Sequence, residues 1–121
     1  MKTLAVFYKI RNGMKKRADL KLLQIFALTG RAVAAGSSGY PRGEKHAVLV
    51  FMCQANDKAD MSKCKTLLQS NGWTSIEISK IKKLHPESFE KSVADDPILV
   101  SAYRNARANG ASIVIYSDPI I

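Results

Sequence analysis

The sequence predicts a single α/β domain spanning residues 1–121, with about four strands in a mixed or parallel sheet flanked by helices; an α+β arrangement is the alternative. Two observations lead to this fold class: an unbroken apolar run at 46–54, and helix and strand patterns that alternate through the second half. A chain of this length is the usual size of one domain. Its apolar content of 46% is enough to form a core without disulfides or metals.

The first half of the chain predicts two strands and one helix. Positions 3–10 (TLAVFYKI) are rich in β-branched and aromatic residues, which favour a strand. Positions 18–28 (ADLKLLQIFAL) repeat apolar residues at helical spacing and predict a helix that ends at Gly30. The same segment also alternates in part, so a strand hairpinned to the first is the alternative. A glycine-rich loop follows at 36–43, and the run 46–54 (HAVLVFMCQ) fits a central strand covered on both faces.

The second half predicts helix, strand, two helices and a final strand. Asp60 is the expected N-cap of a helix that Asn71 and Gly72 end, since glycine there adopts a left-handed conformation at little cost. Positions 73–81 (WTSIEISKI) alternate imperfectly and predict a strand with one wetter face. The remaining elements are a helix that begins at His85-Pro86, a helix capped by Asp96, and a strand at 111–116. The expected order is therefore strand, helix, strand, helix, strand, helix, helix, strand.

Positive charge is concentrated in the first part of the chain. The net charge is +9; residues 1–45 carry ten cations and two anions (+8), residues 46–83 carry six and three (+3), and residues 84–121 carry three and five (−2). This asymmetry is typical of one basic face that attracts nucleic acid, an acidic protein or an anionic membrane, although a surface that only confers solubility is the other explanation. The predicted partner-binding residues lie around a turn near the N-terminus and in the glycine-rich loop: Arg11, Lys15, Lys16, Arg17 and Arg42.

A second basic cluster closes the third predicted strand. Lys80, Lys82 and Lys83 stand close together there. On an edge strand, lysines commonly guard against aggregation, so we expect this cluster to have a structural role.

The cysteines and histidines provide the only candidates for catalysis or metal binding. Cys53 and Cys64 are expected to be buried thiols of a reducing compartment, because both lie in apolar surroundings without a CxxC motif. Together with His46 and His85 they match the usual ligands of zinc, but no two are closely spaced, so we expect neither a metal nor a cofactor. If the chain were an enzyme, Cys53 at the end of the central strand would be the nucleophile and His85 its base.

Two other function classes find no support. The segment 39–45 (GYPRGEK) has Glu44 where a phosphate-binding loop needs lysine, and it precedes a strand rather than a helix. No apolar run approaches the roughly 20 residues of a membrane span, and no signal peptide is recognisable, so the expected location is the cytoplasm.

The sequence therefore favours a non-catalytic intracellular binding module for an acidic macromolecule. A small protein inhibitor of immunity or antitoxin type would fit this description. An RNA- or DNA-binding protein is the alternative, followed by a small cysteine- or histidine-dependent enzyme. Self-association is a further alternative, because the basic end of one copy could meet the acidic end of another.

Overall fold

A computed structural model of the chain describes residues 3–7, 24–55 and 58–120. Within these ranges the backbone forms five strands and three helices, which are numbered here in chain order: β1 (Thr3–Phe7), β2 (Gln24–Ala34), β3 (Lys45–Gln54), α1 (Met61–Ser70), β4 (Trp73–Leu84), α2 (Pro86–Ser92), α3 (Pro97–Asn109) and β5 (Ala111–Pro119).

The strands form one sheet in the order β1-β5-β3-β2-β4. All four neighbouring pairs run antiparallel. β2 and β3 form a hairpin, and β4 joins the far side of β2, so the connection through α1 passes over β2. The predicted α/β fold with a mixed or parallel sheet is therefore wrong; the described chain is α+β with an antiparallel sheet.

The predicted helix at 18–28 is also wrong in the part that the structure describes. Residues 24–28 open β2, which continues past Gly30 to Ala34. Four consecutive side chains of this strand are buried, Ile25 to Leu28, because both faces of the sheet are covered. A short apolar run of this kind does not distinguish a buried strand from a buried helix by its periodicity. The expected element order is wrong for the same reason, since three strands precede α1 in the described chain.

The helices cover both faces of the sheet. On one face, here the α1 face, Cys64 and Leu68 of α1 pack on side chains that include Leu28 and Val50. On the opposite face, here the α2/α3 face, α3 packs on the sheet through three fully buried side chains: Ala102, Tyr103 and Ala106. Central strands covered on both sides explain the unbroken apolar run of β3 that the sequence shows. No helix in the described ranges is both long enough and apolar enough to cross a membrane.

Helix boundaries follow the predicted caps. The Asp60 carboxylate accepts a hydrogen bond from the backbone N–H of Lys63 (3.0 Å), which begins α1. Asp96 accepts two such bonds at the start of α3 (both 3.1 Å). Gly72 ends α1 with a φ of +90°, and a Cβ there would lie 2.3 Å from the backbone nitrogen of Ser38. Glycine therefore allows both the turn and the close packing of the β2–β3 loop on it.

β4 contains two irregularities in its pairing with β2. Thr29 pairs with Lys80 but Gly30 pairs with Ile78, so Ser79 is an extra residue of β4 that has no residue opposite it in the register of β2. A second shift lies between Arg31 and Val33 of β2, where β4 again has one residue more. Each such bulge reverses the faces of the side chains that follow it.

Candidate functional site

The outer edge of β4 carries a row of exposed cationic side chains. β4 pairs only with β2 among the described strands, so its other edge has no strand partner there. Lys80, Ile81, Lys82 and Lys83, here the lysine edge, follow one another on this strand and are all exposed. Ile81 is 48% exposed, and Ile120 is the other large aliphatic side chain exposed in the described part. An edge strand of 12 residues is long compared with the usual five or six.

The bulge at Ser79 determines which way the lysines point. Beyond it, Lys80 lies opposite Thr29 and Lys82 opposite Ala27, which places both lysines on the α2/α3 face. Ile81 and Lys83 project from the other face of the strand. The bulge requires glycine at position 30, because a Cβ there would lie 2.0 Å from the carbonyl oxygen of Glu77.

The charges of Lys80 and Lys82 are not neutralised within the described chain. Neither lysine forms an ion pair with a described residue. Glu77, the carboxylate on the same strand, is held by Arg31 through two hydrogen bonds of 3.0 and 3.2 Å. Lys80 and Lys82 therefore form a local surplus of positive charge on an exposed strand.

A small apolar pocket lies beside the lysine edge, between the sheet and α2. Its volume is about 220 Å³, and Lys80 and Lys82 line it together with apolar side chains that include Leu49, Phe51 and Phe89. Pockets that hold small organic ligands are usually about 300–1,000 Å³. The pocket is therefore better suited to a single side chain than to a whole ligand.

Exposed aromatic rings are missing from the described surface. All the aromatic side chains in residues 24–55 and 58–120 are buried or only partly exposed. On the α2/α3 face, Phe89 packs against Tyr103 with 4.9 Å between ring centroids and against Phe51 with 5.6 Å. Proteins that bind single-stranded nucleic acid stack bases on exposed rings, and this part of the chain offers none.

The predicted partner-binding residues are only partly covered by the structure. Arg11, Lys15, Lys16 and Arg17 lie outside the described residues. Arg42 is exposed in the loop between β2 and β3. That loop adjoins the Trp73 end of β4; along β2, the residue opposite Trp73 lies seven positions from the residue opposite Lys82, roughly 23 Å at the rise of an extended chain. Arg42 therefore does not belong to the lysine edge.

Cys53 lies in a different pocket, of about 360 Å³, on the α2/α3 face. Glu90, Arg104 and Arg107 also line this pocket, and Arg104 and Glu90 form a long ion pair of 3.6 Å. Burial raises the pKa of the Cys53 thiol, and the positive charges of Arg107 and Lys63 lower it by less. A nucleophilic cysteine needs the opposite shift, since the thiolate is the reactive form.

His85 does not lie against Cys53. Ile25 pairs with Cys53 on one side and with Leu84 on the other, so two interstrand spacings, about 10 Å, separate Cys53 from the strand end that precedes His85. His85 is exposed at the start of α2 and lines another pocket together with Ser88. The geometry gives no support to a thiol–imidazole pair.

The other two metal-ligand candidates of the sequence are built into the core. His46 is fully buried; its Nδ1 lies 2.7 Å from the carbonyl oxygen of Tyr116 and its Nε2 lies 3.0 Å from the Glu44 carboxylate. Both partners are acceptors, and which ring nitrogen donates depends on the tautomer. The rings of Tyr40 and Trp73 pack around it at 4.5 and 5.6 Å. Sequence reasoning missed this cluster, whose only signal is a histidine opening an apolar strand two residues after a glutamate.

Cys64 lies beneath α1 and contributes to packing. It is fully buried, and burial raises the pKa of its thiol to about 11. Both cysteines are free thiols. No group of three histidine, cysteine or acidic side chains that could hold a metal ion occurs within the described ranges.

Comparisons with protein-family models, with curated protein sequences and with solved structures found no match.

Proposed function

We propose that the chain is a non-catalytic intracellular binding module for an acidic protein, and that the lysine edge of β4 is a contact surface for that partner. The observation that carries the proposal is the pair of exposed lysines, Lys80 and Lys82, that no described acid neutralises. Charges of this kind increase the rate of association with a partner of opposite charge and disfavour partners of like charge. The +8 balance of residues 1–45 adds to the same long-range attraction.

Two features favour a protein partner over a nucleic acid. Ile81 is exposed between the lysines, and apolar contact of this kind is typical of the centre of a protein interface. The described surface also lacks the exposed rings on which nucleic-acid bases stack. An inhibitor that recognises one acidic protein, as immunity and antitoxin proteins do, would need this combination of charge and apolar contact without catalytic groups.

The proposal is tested by charge reversal with a matched control. The partner is captured from the native host with and without nuclease, identified and purified, and its affinity for the wild-type chain is measured at low and high salt. Lys80→Glu/Lys82→Glu should weaken binding about tenfold or more, a loss of ~1.4 kcal/mol. Lys65→Glu/Lys91→Glu makes the same change in net charge at exposed positions of α1 and α2, and should leave the affinity within about twofold if the contact is local.

Equal affinities for the two double variants would refute the lysine edge as a contact surface. Loss of the captured partner on nuclease treatment would refute a protein partner and favour the nucleic-acid alternative.

A further inference from the structure

The lysine edge has the geometry of an open pairing site for another strand. From Thr29↔Lys80 to Ile25↔Leu84, β4 pairs with β2 without any register shift. Residues 80–84 are therefore regular extended backbone, and alternate N–H and C=O groups along their outer edge have no strand partner among the described residues. Peptides that add a strand to a sheet use such groups for affinity and alternate side chains for specificity.

Side chains directly opposite each other on neighbouring strands lie on the same face, so the lysine edge specifies a pattern for an added strand. Residues beside Lys80 and Lys82 would lie on the α2/α3 face and should be acidic. The residue between them would lie beside Ile81 on the other face and should be apolar, since Ile81 is half-exposed there.

We propose that the partner binds as an extended segment of alternating acidic and apolar residues, which adds to the outer edge of β4 with an apolar side chain beside Ile81 and acidic side chains beside Lys80 and Lys82. This inference rests on the proposed function and makes it specific. Opposite charges across a strand pair stabilise it, whereas like charges destabilise it.

A second copy of the chain is a poor occupant of the same edge. Antiparallel pairing of two β4 strands centred on Ile81 sets Lys80 against Lys82, and pairing centred on Lys82 sets that lysine against itself. Both registers place like charges directly opposite each other. The lysines that oppose edge-to-edge association of identical chains thus favour an acidic strand from another protein.

The test uses a synthetic peptide with the central sequence Glu-Val-Glu-Val-Glu, which has the same pattern in both chain directions and so allows parallel or antiparallel addition. Amide hydrogen exchange of the full chain is followed by NMR with and without the peptide. Alternate amides of residues 80–84, those that do not bond to β2, should become protected at least tenfold. The same peptide with methylated backbone nitrogens keeps its charges, but it has no N–H donors and its methyl groups prevent the close approach that the amides of β4 need to reach its carbonyl oxygens, so it should protect none of them.

A charge swap tests the side-chain pattern separately. Lys80→Glu/Lys82→Glu should lose the acidic peptide and bind Lys-Val-Lys-Val-Lys instead, whereas Lys65→Glu/Lys91→Glu should bind the acidic peptide as the wild type does. The swap also reveals whether the double variant is folded, because a gain of binding requires an intact β4.

The outcomes separate this inference from the proposed function. Equal binding of the methylated and unmethylated peptides, or binding without protection of residues 80–84, would overturn strand addition. The proposed function would survive that result if the natural partner still discriminated between the two double variants. A concentration-dependent dimer with its interface at β4 would overturn the choice of occupant.

Discussion

Replacement of Gly30 by alanine tests the register on which the lysine edge depends. Gly30 lies on β2 beside the bulge of β4, and its φ is outside the left-handed region, so backbone conformation alone does not require glycine. Close approach does require it: an added Cβ would lie 2.0 Å from the Glu77 carbonyl oxygen and 2.8 Å from the Ile78 Cα. Both neighbours are backbone atoms, so no side chain can rotate away to make room.

The size of the effect follows from these distances. A comfortable contact needs about 3.5 Å, so β4 would have to move away by roughly 1.5 Å at this point. Hydrogen bonds between β2 and β4 on either side of Gly30 would then exceed their normal length. Loss of two or three such bonds, at about 0.5–1.5 kcal/mol each, together with poorer packing of Ile78, predicts a destabilisation of ~3 kcal/mol. That is a large fraction of the stability of a domain of this size.

The measurement is the free energy of unfolding from denaturant titration, with Gly39→Ala as the control. A Cβ at Gly39 meets nothing within 4 Å, but its φ of +86° costs an L-residue about 1–2 kcal/mol. Gly30→Ala should therefore be the more destabilising change, and faster amide exchange should be concentrated in β4. If Gly30→Ala destabilised the chain no more than Gly39→Ala, the close approach of β2 and β4 described above would be refuted.

Four other predictions concern three buried groups and one helix cap. Burial raises the pKa of the Cys64 thiol to about 11 from an ordinary value of 9.0, so this thiol ionises in the unfolded chain at a lower pH than in the folded chain. The free energy of unfolding should therefore fall as the pH rises from about 9 to 11. Cys64→Ala should lose that part of the pH dependence, which is measured by denaturant titration at a series of pH values. Cys53 should react with thiol reagents slowly in the folded chain and rapidly after denaturation, and fast native labelling would contradict its burial. His46→Ala should destabilise by about 2–4 kcal/mol in denaturant titration, because two hydrogen bonds and two ring contacts are lost, and a loss below 1 kcal/mol would show that the cluster is dispensable. Asp96→Ala should cost about 1 kcal/mol through loss of the α3 cap, whereas Asp95→Ala, at an exposed neighbour, should cost little; equal losses would contradict the cap.

The helices could be predicted from the sequence because their ends are set by local chemistry. A carboxylate that accepts backbone N–H bonds begins α1 and another begins α3, and Gly72 ends α1. These interactions span only a few residues, so the sequence displays them directly. The two cysteines were likewise predicted as buried thiols from the apolar residues around them, and the structure confirms this.

The sheet could not be predicted in the same way, because strand order depends on contacts between distant segments. The start of β2 lies between β3 and β4 in the sheet and helices cover both of its faces, so the apolar run that results has no period of its own. Strand direction is no more visible in such a run: unbroken apolar strands are usual in parallel sheets, yet here helices cover both faces of an antiparallel one. The mixed or parallel sheet was predicted from the alternation of helix and strand patterns together with the apolar run of β3, and such a run indicates that a strand is buried but not in which direction it runs.

The lysines of β4 can be seen in the sequence, but the face of the sheet to which each of them points cannot. The imperfect alternation of residues 73–81 has a physical cause in the two bulges, each of which adds one residue to β4 and reverses the faces that follow. Without the bulge at Ser79, Lys80 would point to the α1 face and Leu84 would no longer lie opposite Ile25 in the core. The two reversals cancel between the ends of the strand, so Trp73 and Leu84 are buried on opposite faces of the sheet as they would be in a regular strand, and the bulges change only the faces of the residues between them. Gly30 on the neighbouring strand is the residue that makes this arrangement sterically allowed, which is why the proposed binding edge on β4 depends on a glycine of β2.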